Sequence, residues 1–357
     1  SASDKESSLY IAWLANNDLT YEKKHELNFG IDAGFLNNRI NFTFDIYTRR
    51  NYDLIGATNT MGIGGESTKY GNVAKMKSNG VELSLNTVNI KTKDFTWTTD
   101  FIYSHMHNEV TELNTYNRLY DYISGYGFTM PGYPQRSLFS IPFAGLNNEG
   151  LPTFYDPDGN ITVTGIDMQE YDPERLKFLK YEGPADPTDV GSLGNIFRYK
   201  NLTLNLFITY SFGNVVRLDP VFSSEYSDLS ATPKEFNNRW IKPGDEKFTN
   251  IPVIASRQQL NNIAYLSRAY QSYNYSTARV AKGDFIRMKE ISLAYEFPKT
   301  LTQPLHLSNL SLKLQATNLF LLYADKKLNG QDPEFFNAGG VATPMPKQFT
   351  LTLKFGI

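Results

Sequence analysis

Few residues in this chain are spaced to make or break bonds. His105 and His107 stand two apart, which puts both rings on one face of an extended strand, where they could share a metal. The chain has only four histidines, and no carboxylate cluster accompanies the pair, so a role at a strand end fits these two better. Asp156-Pro157-Asp158-Gly159-Asn160 places Asp156, Asp158 and Asn160 at the alternate positions of a calcium loop. Asp-Gly is also common in tight turns, and the other ligand positions of an EF-hand are absent. These three residues are candidate ligands for a structural calcium ion, and no other cofactor is expected. Met61-Gly62-Ile63-Gly64-Gly65 resembles a phosphate loop but lacks the Lys-Ser/Thr ending and lies between strands, so a flexible loop is expected there. No Ser/His/Asp or Cys/His set sits on a strand–turn–helix, and chance pairs are expected among 37 acidic residues. The expectation is a protein that is not an enzyme.

The elements that carry these residues are strands. Across 357 residues the formal net charge is −2, which gives no electrostatic case for nucleic acid. The absence of cysteine excludes disulfides and thiolate metal sites. No run approaches the roughly 18 apolar residues of a membrane helix. The mean hydropathy of −0.40 does not separate a soluble β-protein from a membrane barrel, because only alternate residues of a barrel strand meet lipid.

From His25 the pattern has period two. Leu27, Phe29, Ile31, Ala33 and Phe35 share one face, with Glu26, Asn28, Gly30, Asp32 and Gly34 on the other. Asn37-Asn38 supplies a tight turn, and Ile40, Phe42, Phe44 and Ile46 resume the alternation, which predicts a hairpin. The pattern returns at Val81–Leu85, Phe95–Tyr103, Leu202–Tyr210, Ile291–Phe297, Leu310–Ala316 and Phe349–Ile357. Short links at Asn37-Asn38, Asn89–Asp94 and Lys200-Asn201, with a moderate one at Pro298–Asn309, alternate with long ones. The long ones run roughly Arg49–Lys75, Asn108–Gly194, Gly213–Gly283 and Leu322–Lys347. Short periplasmic turns and long extracellular loops mark an outer-membrane barrel. A soluble β-sandwich also alternates, but its strands are usually about 5–6 residues. Glu82, Asp32 and Lys354 on the polar faces suit a wet lumen, and 24 Phe, 23 Tyr and 3 Trp suit interfacial girdles. The expected fold is all-β, a transmembrane antiparallel β-barrel located in a bacterial outer membrane and in contact with lipid.

A series of short motifs begins with Leu19-Thr20-Tyr21-Glu22, Asn28-Phe29-Gly30-Ile31-Asp32 and Asn37-Asn38-Arg39-Ile40. Asp45-Ile46-Tyr47-Thr48-Arg49, Asp53-Leu54-Ile55, Asn72-Val73 and Ser78-Asn79-Gly80-Val81-Glu82-Leu83 continue it. So do Phe143-Ala144-Gly145-Leu146, Asp156-Pro157-Asp158-Gly159, Asn238-Arg239-Trp240 and Pro243-Gly244-Asp245. Asp284-Phe285-Ile286-Arg287-Met288-Lys289, Ala316-Thr317-Asn318-Leu319 and Pro346-Lys347-Gln348-Phe349 complete it. From Leu19 to Ile357 this series resembles, in order, the SusC/RagA-like family of TonB-dependent outer-membrane transporters of Bacteroidetes, with Tyr21 in place of the usual Trp in the hairpin motif.

The resemblance implies a 22-stranded plugged barrel. The chain would supply about ten strands, the C-terminal portion, over residues 1–357, with the plug and N-terminal strands elsewhere. Ser1-Ala2-Ser3-Asp4-Lys5-Glu6 has no signal-peptide features, which fits an internal start in a longer protein. The implied function is TonB-dependent import of an oligomeric nutrient, a glycan or peptide. Implied partners are a SusD-like surface lipoprotein, the TonB complex acting through the missing part, and a second transporter–lipoprotein pair in a dimer. Tyrosine combines a flat apolar ring with a polar tip. Tyr116, Tyr120, Tyr122, Tyr126 and Tyr133, with Tyr265, Tyr270, Tyr273 and Tyr275, are therefore candidate substrate or lipoprotein contacts, or else pack the loops together. A passive porin or adhesin barrel and a soluble carbohydrate-active β-protein are the competing readings.

Overall fold

The computed structural model describes residues 16–59, 68–114, 117–125, 127–222, 234–335 and 346–357. Ser1–Glu6, the glycine-rich segment 61–65, Tyr116 and Tyr126 lie outside the described residues.

Nine strands form one antiparallel sheet in which every strand pairs with its neighbours in chain order. They are β1 (Lys23–Phe35), β2 (Ile40–Asn59), β3 (Thr68–Lys91), β4 (Phe95–Leu113), β5 (Asp189–Tyr199), β6 (Leu202–Phe212), β7 (Phe285–Glu296), β8 (Asn309–Ala324) and β9 (Gln348–Gly356). The sequence led us to expect about ten. At the β1–β2 turn Leu36, Asn37 and Asn38 all have positive φ, the conformation for which Asn was read there. Among the described residues no helix is long and apolar enough to cross a membrane, which says nothing against crossing by strands.

The register makes the two faces continuous. Residues directly opposite in a ladder point the same way, so Ile31, Phe44, Leu83 and Tyr103 form one outward row. Leu204, Leu293, Leu314 and Leu351 form another on the far strands. The inward face carries Asp45 opposite Glu82 and Asn86 opposite Asp100. Glu290 gathers Asn205, Gln315 and Lys313 there. Outward polar groups pair among themselves: Asn195 Oδ1 accepts from Trp97 Nε1 (2.9 Å) and Thr99 Oγ1 (2.8 Å). An apolar environment requires this pairing, since a polar group left without a partner costs several kcal/mol.

Two expectations about boundaries change. Most of Arg49–Lys75 is strand, because β2 and β3 run to 20 and 24 residues. Their upper ends rise past the apolar rows, where nothing requires alternation, and a register shift after Asn51 breaks the period. β5, which starts inside the expected Asn108–Gly194 loop, shows little alternation because Gly191 and Asn195 face outward while Val190 and Ile196 face inward. Gly191 is there for space. The Tyr210 ring closes over it, and its hydroxyl donates to Ile102 O at 3.0 Å. A Cβ on Gly191 would lie 2.1 Å from Ile102 O and 2.4 Å from the Tyr210 hydroxyl. Tyr47 covers Gly80 in the same way on the inward face.

Two predictions follow from the faces and from this joint. Leu204→Arg places a guanidinium among the outward rows, where the cost is about 2–4 kcal/mol at the bilayer midplane and less toward the short-turn end at which Leu204 lies, whereas inward Thr203→Arg does not. Assembly into heat-modifiable barrel, read by gel shift, should fall sharply for Leu204→Arg alone; equal loss in both would reject the facing. Gly191→Ala should also lower the folded fraction. Gly194→Ala on the same strand should be tolerated, since its nearest neighbour would be 3.5 Å away.

Candidate functional site

The long connections at one end of the sheet fold into a cap with its own core. A loop cannot bury its backbone unpaired, and here three small sheets meet that need. They pair Ser137–Ser140 with Lys180–Pro184, Val215–Arg217 with Val280–Lys282, and Phe143–Leu146 with Pro152–Tyr155 and Ile161–Thr162. Leu119, Ile123, Phe154, Ile166, Val221 and Leu266 are among the side chains that close over one another between them. The helix Leu266–Asn274 lays Leu266, Ala269 and Tyr273 onto this core at helical spacing.

Buried arginines join the connections to each other and to the wall. Arg217 reaches from the third long connection into the second, donating to Phe139 O (2.5 Å) and Ser140 Oγ (3.2 Å), and also to Ser276 O (3.3 Å) on its own connection. Burial lowers its guanidinium to about 10. The Tyr275 ring lies 5.8 Å from it, and burial pushes that hydroxyl up to about 12. Arg279, 2% exposed, pairs with Glu235 at 2.5 Å and donates to Asp219 O at 2.6 Å. Arg287 on β7 pairs with Asp332 and, at 3.2 Å, with Glu334, which ties the last long connection to the wall.

The tyrosines divide between packing and surface. Tyr273 is 1% exposed, and burial pushes its hydroxyl up to about 12. Tyr122 packs edge-on to Phe128 and Phe139, and Tyr133 packs against Phe139 and Tyr181. Tyr270 donates to Val253 O at 2.7 Å and sits edge-on to Phe222. Tyr275 meets Tyr120 edge-on. Tyr265 is exposed, in a left-handed conformation, with the Arg268 guanidinium 4.3 Å from its ring centre.

Tyr120 also lines a cleft of about 300 Å³ with Arg118, Asp167, Gln169, Arg268 and Gln271. Arg118 is held in place by Asp121, at 3.2 and 3.0 Å, and by Gln169 at 3.1 Å. Guanidinium, amide and aromatic surfaces together can hydrogen-bond and stack on a sugar or a peptide. The expected site residues did not include Arg118, Arg217, Arg268 or Arg279. The one signal available was an arginine in apolar company, as in Val215-Val216-Arg217-Leu218.

The oxygen-rich loop is a hairpin turn. Asp156 Oδ1 accepts from the N–H groups of Asp158 (3.0 Å) and Asn160 (2.8 Å), and Asp158 stands 3.5 Å from Arg175. A cation would have to compete with these donors. Among the described residues no three His, Asp or Glu side chains converge as metal ligands. His105 Nδ1 lies 2.8 Å from Asp189 Oδ1, which also accepts from the Tyr103 hydroxyl at 2.7 Å.

No family model matches the sequence. The TonB-dependent receptor P39 of Formosa agariphila is 26% identical over 93% of this chain and 34% of its own length. The TonB-dependent receptor SusC of Bacteroides thetaiotaomicron is 28% identical over 95% of this chain and 32% of its own. The solved RagAB peptide importer in its open-open state superposes with a TM-score of 0.75 at 24% identity, covering 100% of this chain and 37% of that one. That last likeness shows the fold, an antiparallel outer-membrane barrel. The ordered motifs, the two-faced sheet and these relatives agree: the chain is an outer-membrane β-barrel chain similar over nearly its whole length to SusC/RagA-like TonB-dependent receptors, and it spans about a third of the length of the curated relatives it matches.

Proposed function

We propose that this chain forms the C-terminal part of the wall and part of the outer cap of an importer that takes up an oligomeric nutrient. The observation that carries the reading is a two-faced sheet of nine strands among the described residues, whose edge strands, β1 and β9, each have a single neighbour there. Leu27, Phe29, Phe349 and Leu351 on those edges are largely exposed. Hydrocarbon supplies no hydrogen bonds to backbone, so each edge has to meet another strand of a closed barrel. Nine strands of the expected 22 leave that completion, with the plug, to the remainder of the receptor.

Import by such a barrel draws its energy from TonB acting on the plug. The folded cap is where an outer lipoprotein of the SusD type would seat, and two such pairs could stand side by side as a dimer. RagAB is a peptide importer. For this chain the cleft between Arg118 and Arg268 offers charged and amide donors that suit either peptide termini or acidic and hydroxyl-rich sugars. The relatives are TonB-dependent receptors by name, which supports a role other than catalysis. A passive porin is the second reading, and energy dependence separates the two.

In cells carrying the full-length receptor, deletion of TonB should abolish nutrient uptake while the barrel still inserts and shifts on heating. Uptake that persists without TonB would establish the passive porin. Arg268→Ala should weaken nutrient binding at least about tenfold, since a contact to a charged group contributes about 1.5–3 kcal/mol. The check is calorimetry on the purified receptor, and unchanged affinity would move substrate contact away from this cleft.

A further inference from the structure

The outward face holds a feature that import does not use. At the upper end of β1–β4 three outward rows are stacked two residues apart, about 6.6 Å per step. The lowest is Phe29–Ile46–Val81–His105, the next Leu27–Thr48–Asn79–His107, and the highest His25–Arg50–Lys77–Glu109. The two lower rows enclose a mostly apolar groove of about 350 Å³, walled by Leu27, Phe29, Ile46 and Val81 and floored where Thr48 and Asn79 leave room. The highest row is basic. Arg50 is exposed and, unlike Arg49, makes no ion pair among the described residues. Lys77 pairs with Glu109 at 2.9 Å, the one acid in that row. His25 is held edge-on to Tyr52 with ring centres 5.4 Å apart.

The height of this row matters. From Phe35 up to Leu27 the outward residues of β1 are apolar, a rise of about 27 Å along the strand and about 20 Å after the usual barrel tilt. That is close to the thickness of an apolar barrel band. The basic row therefore sits at the outer headgroup level, with the groove directly below it in the acyl layer. A cation row alone would suit any anion, and an apolar groove alone any chain.

We infer that this patch seats an acylated, phosphate-bearing lipid of the outer leaflet, with its phosphate on Arg50, Lys77 and His25 and one acyl chain in the groove between β1 and β4. The inference rests on the outer-membrane location and is independent of what the receptor imports. Binding needs both halves, which is what the test uses. Full-length receptor is reconstituted with phosphatidic acid, purified in mild detergent and weighed with its retained lipid by native mass spectrometry. Gel shift on heating confirms folding of each variant.

Wild type should retain phosphatidic acid but not diacylglycerol of the same chains. Arg50→Gln/Lys77→Gln should reduce retention at least about tenfold, the loss expected for two interfacial cations. Asn79→Trp, which fills the groove and leaves the basic row intact, should reduce it too, while inward Lys313→Gln should not. Equal retention by wild type and the double variant would overturn the proposal. So would full displacement by inorganic phosphate, which would make this a phosphate site only. A receptor–receptor cross-link across Arg50 that excludes the lipid would overturn it as well, by assigning the face to a second copy.

Discussion

Backbone N–H and C=O groups have no partner in hydrocarbon other than another strand, and most of this structure follows from that. The requirement explains why eight successive ladders run antiparallel between neighbouring strands, closed alternately by short links at the lower end and long connections at the upper. It also explains the treatment of the few polar side chains that face outward. Asn195, Trp97 and Thr99 bond one another, and the Tyr210 hydroxyl is folded back onto a backbone carbonyl across Gly191. The outward face is apolar by residue type where it can be, and by hydrogen bonding where it cannot.

Above the apolar rows that constraint ends and a different one begins. The long connections leave the lipid and must stay folded in water while held over one end of the sheet. They do so with a compact core and with arginines whose fixed fork can satisfy several carbonyls at once. Arg217 shows why a guanidinium serves there and a lysine would not. Its three acceptors lie on two different connections, and its burial is tolerated because each is a neutral acceptor at bonding distance. Removing it would leave buried carbonyls unpaired, at about 1–3 kcal/mol each.

This division decides what the sequence could reveal. Within the lipid-facing rows each residue answers to a face, so the period of two exposes β1, β6 and β9 directly. Where a strand needs a glycine outward, as at Gly191, or climbs past the lipid, as in β2 and β3, the same backbone leaves no such trace. The cap was the least legible. The sequence leaves its tyrosines open between ligand contact and loop packing, and the structure divides them: Tyr273 is sealed in a core and Tyr265 lies open under Arg268. Both stand on or beside one short helix. Only the packing of the helix Leu266–Asn274 against the second long connection, which depends on residues far off in sequence, separates them.

The same reasoning bears on how cap and wall can move. Arg287 extends from a wall strand to Asp332 and Glu334, and the Val215–Arg217 and Val280–Lys282 pair continues upward from the ends of β6 and β7. The cap is thus joined to the wall by buried charge and by main-chain bonds together. A lid that swung freely would need these joints to be exposed and replaceable by water, and they are neither. The cap is therefore a fixed rim on the sheet rather than a hinged lid. A fixed rim with a preformed cleft lowers the ordering cost of any ligand that enters it, because its side chains are already held in place.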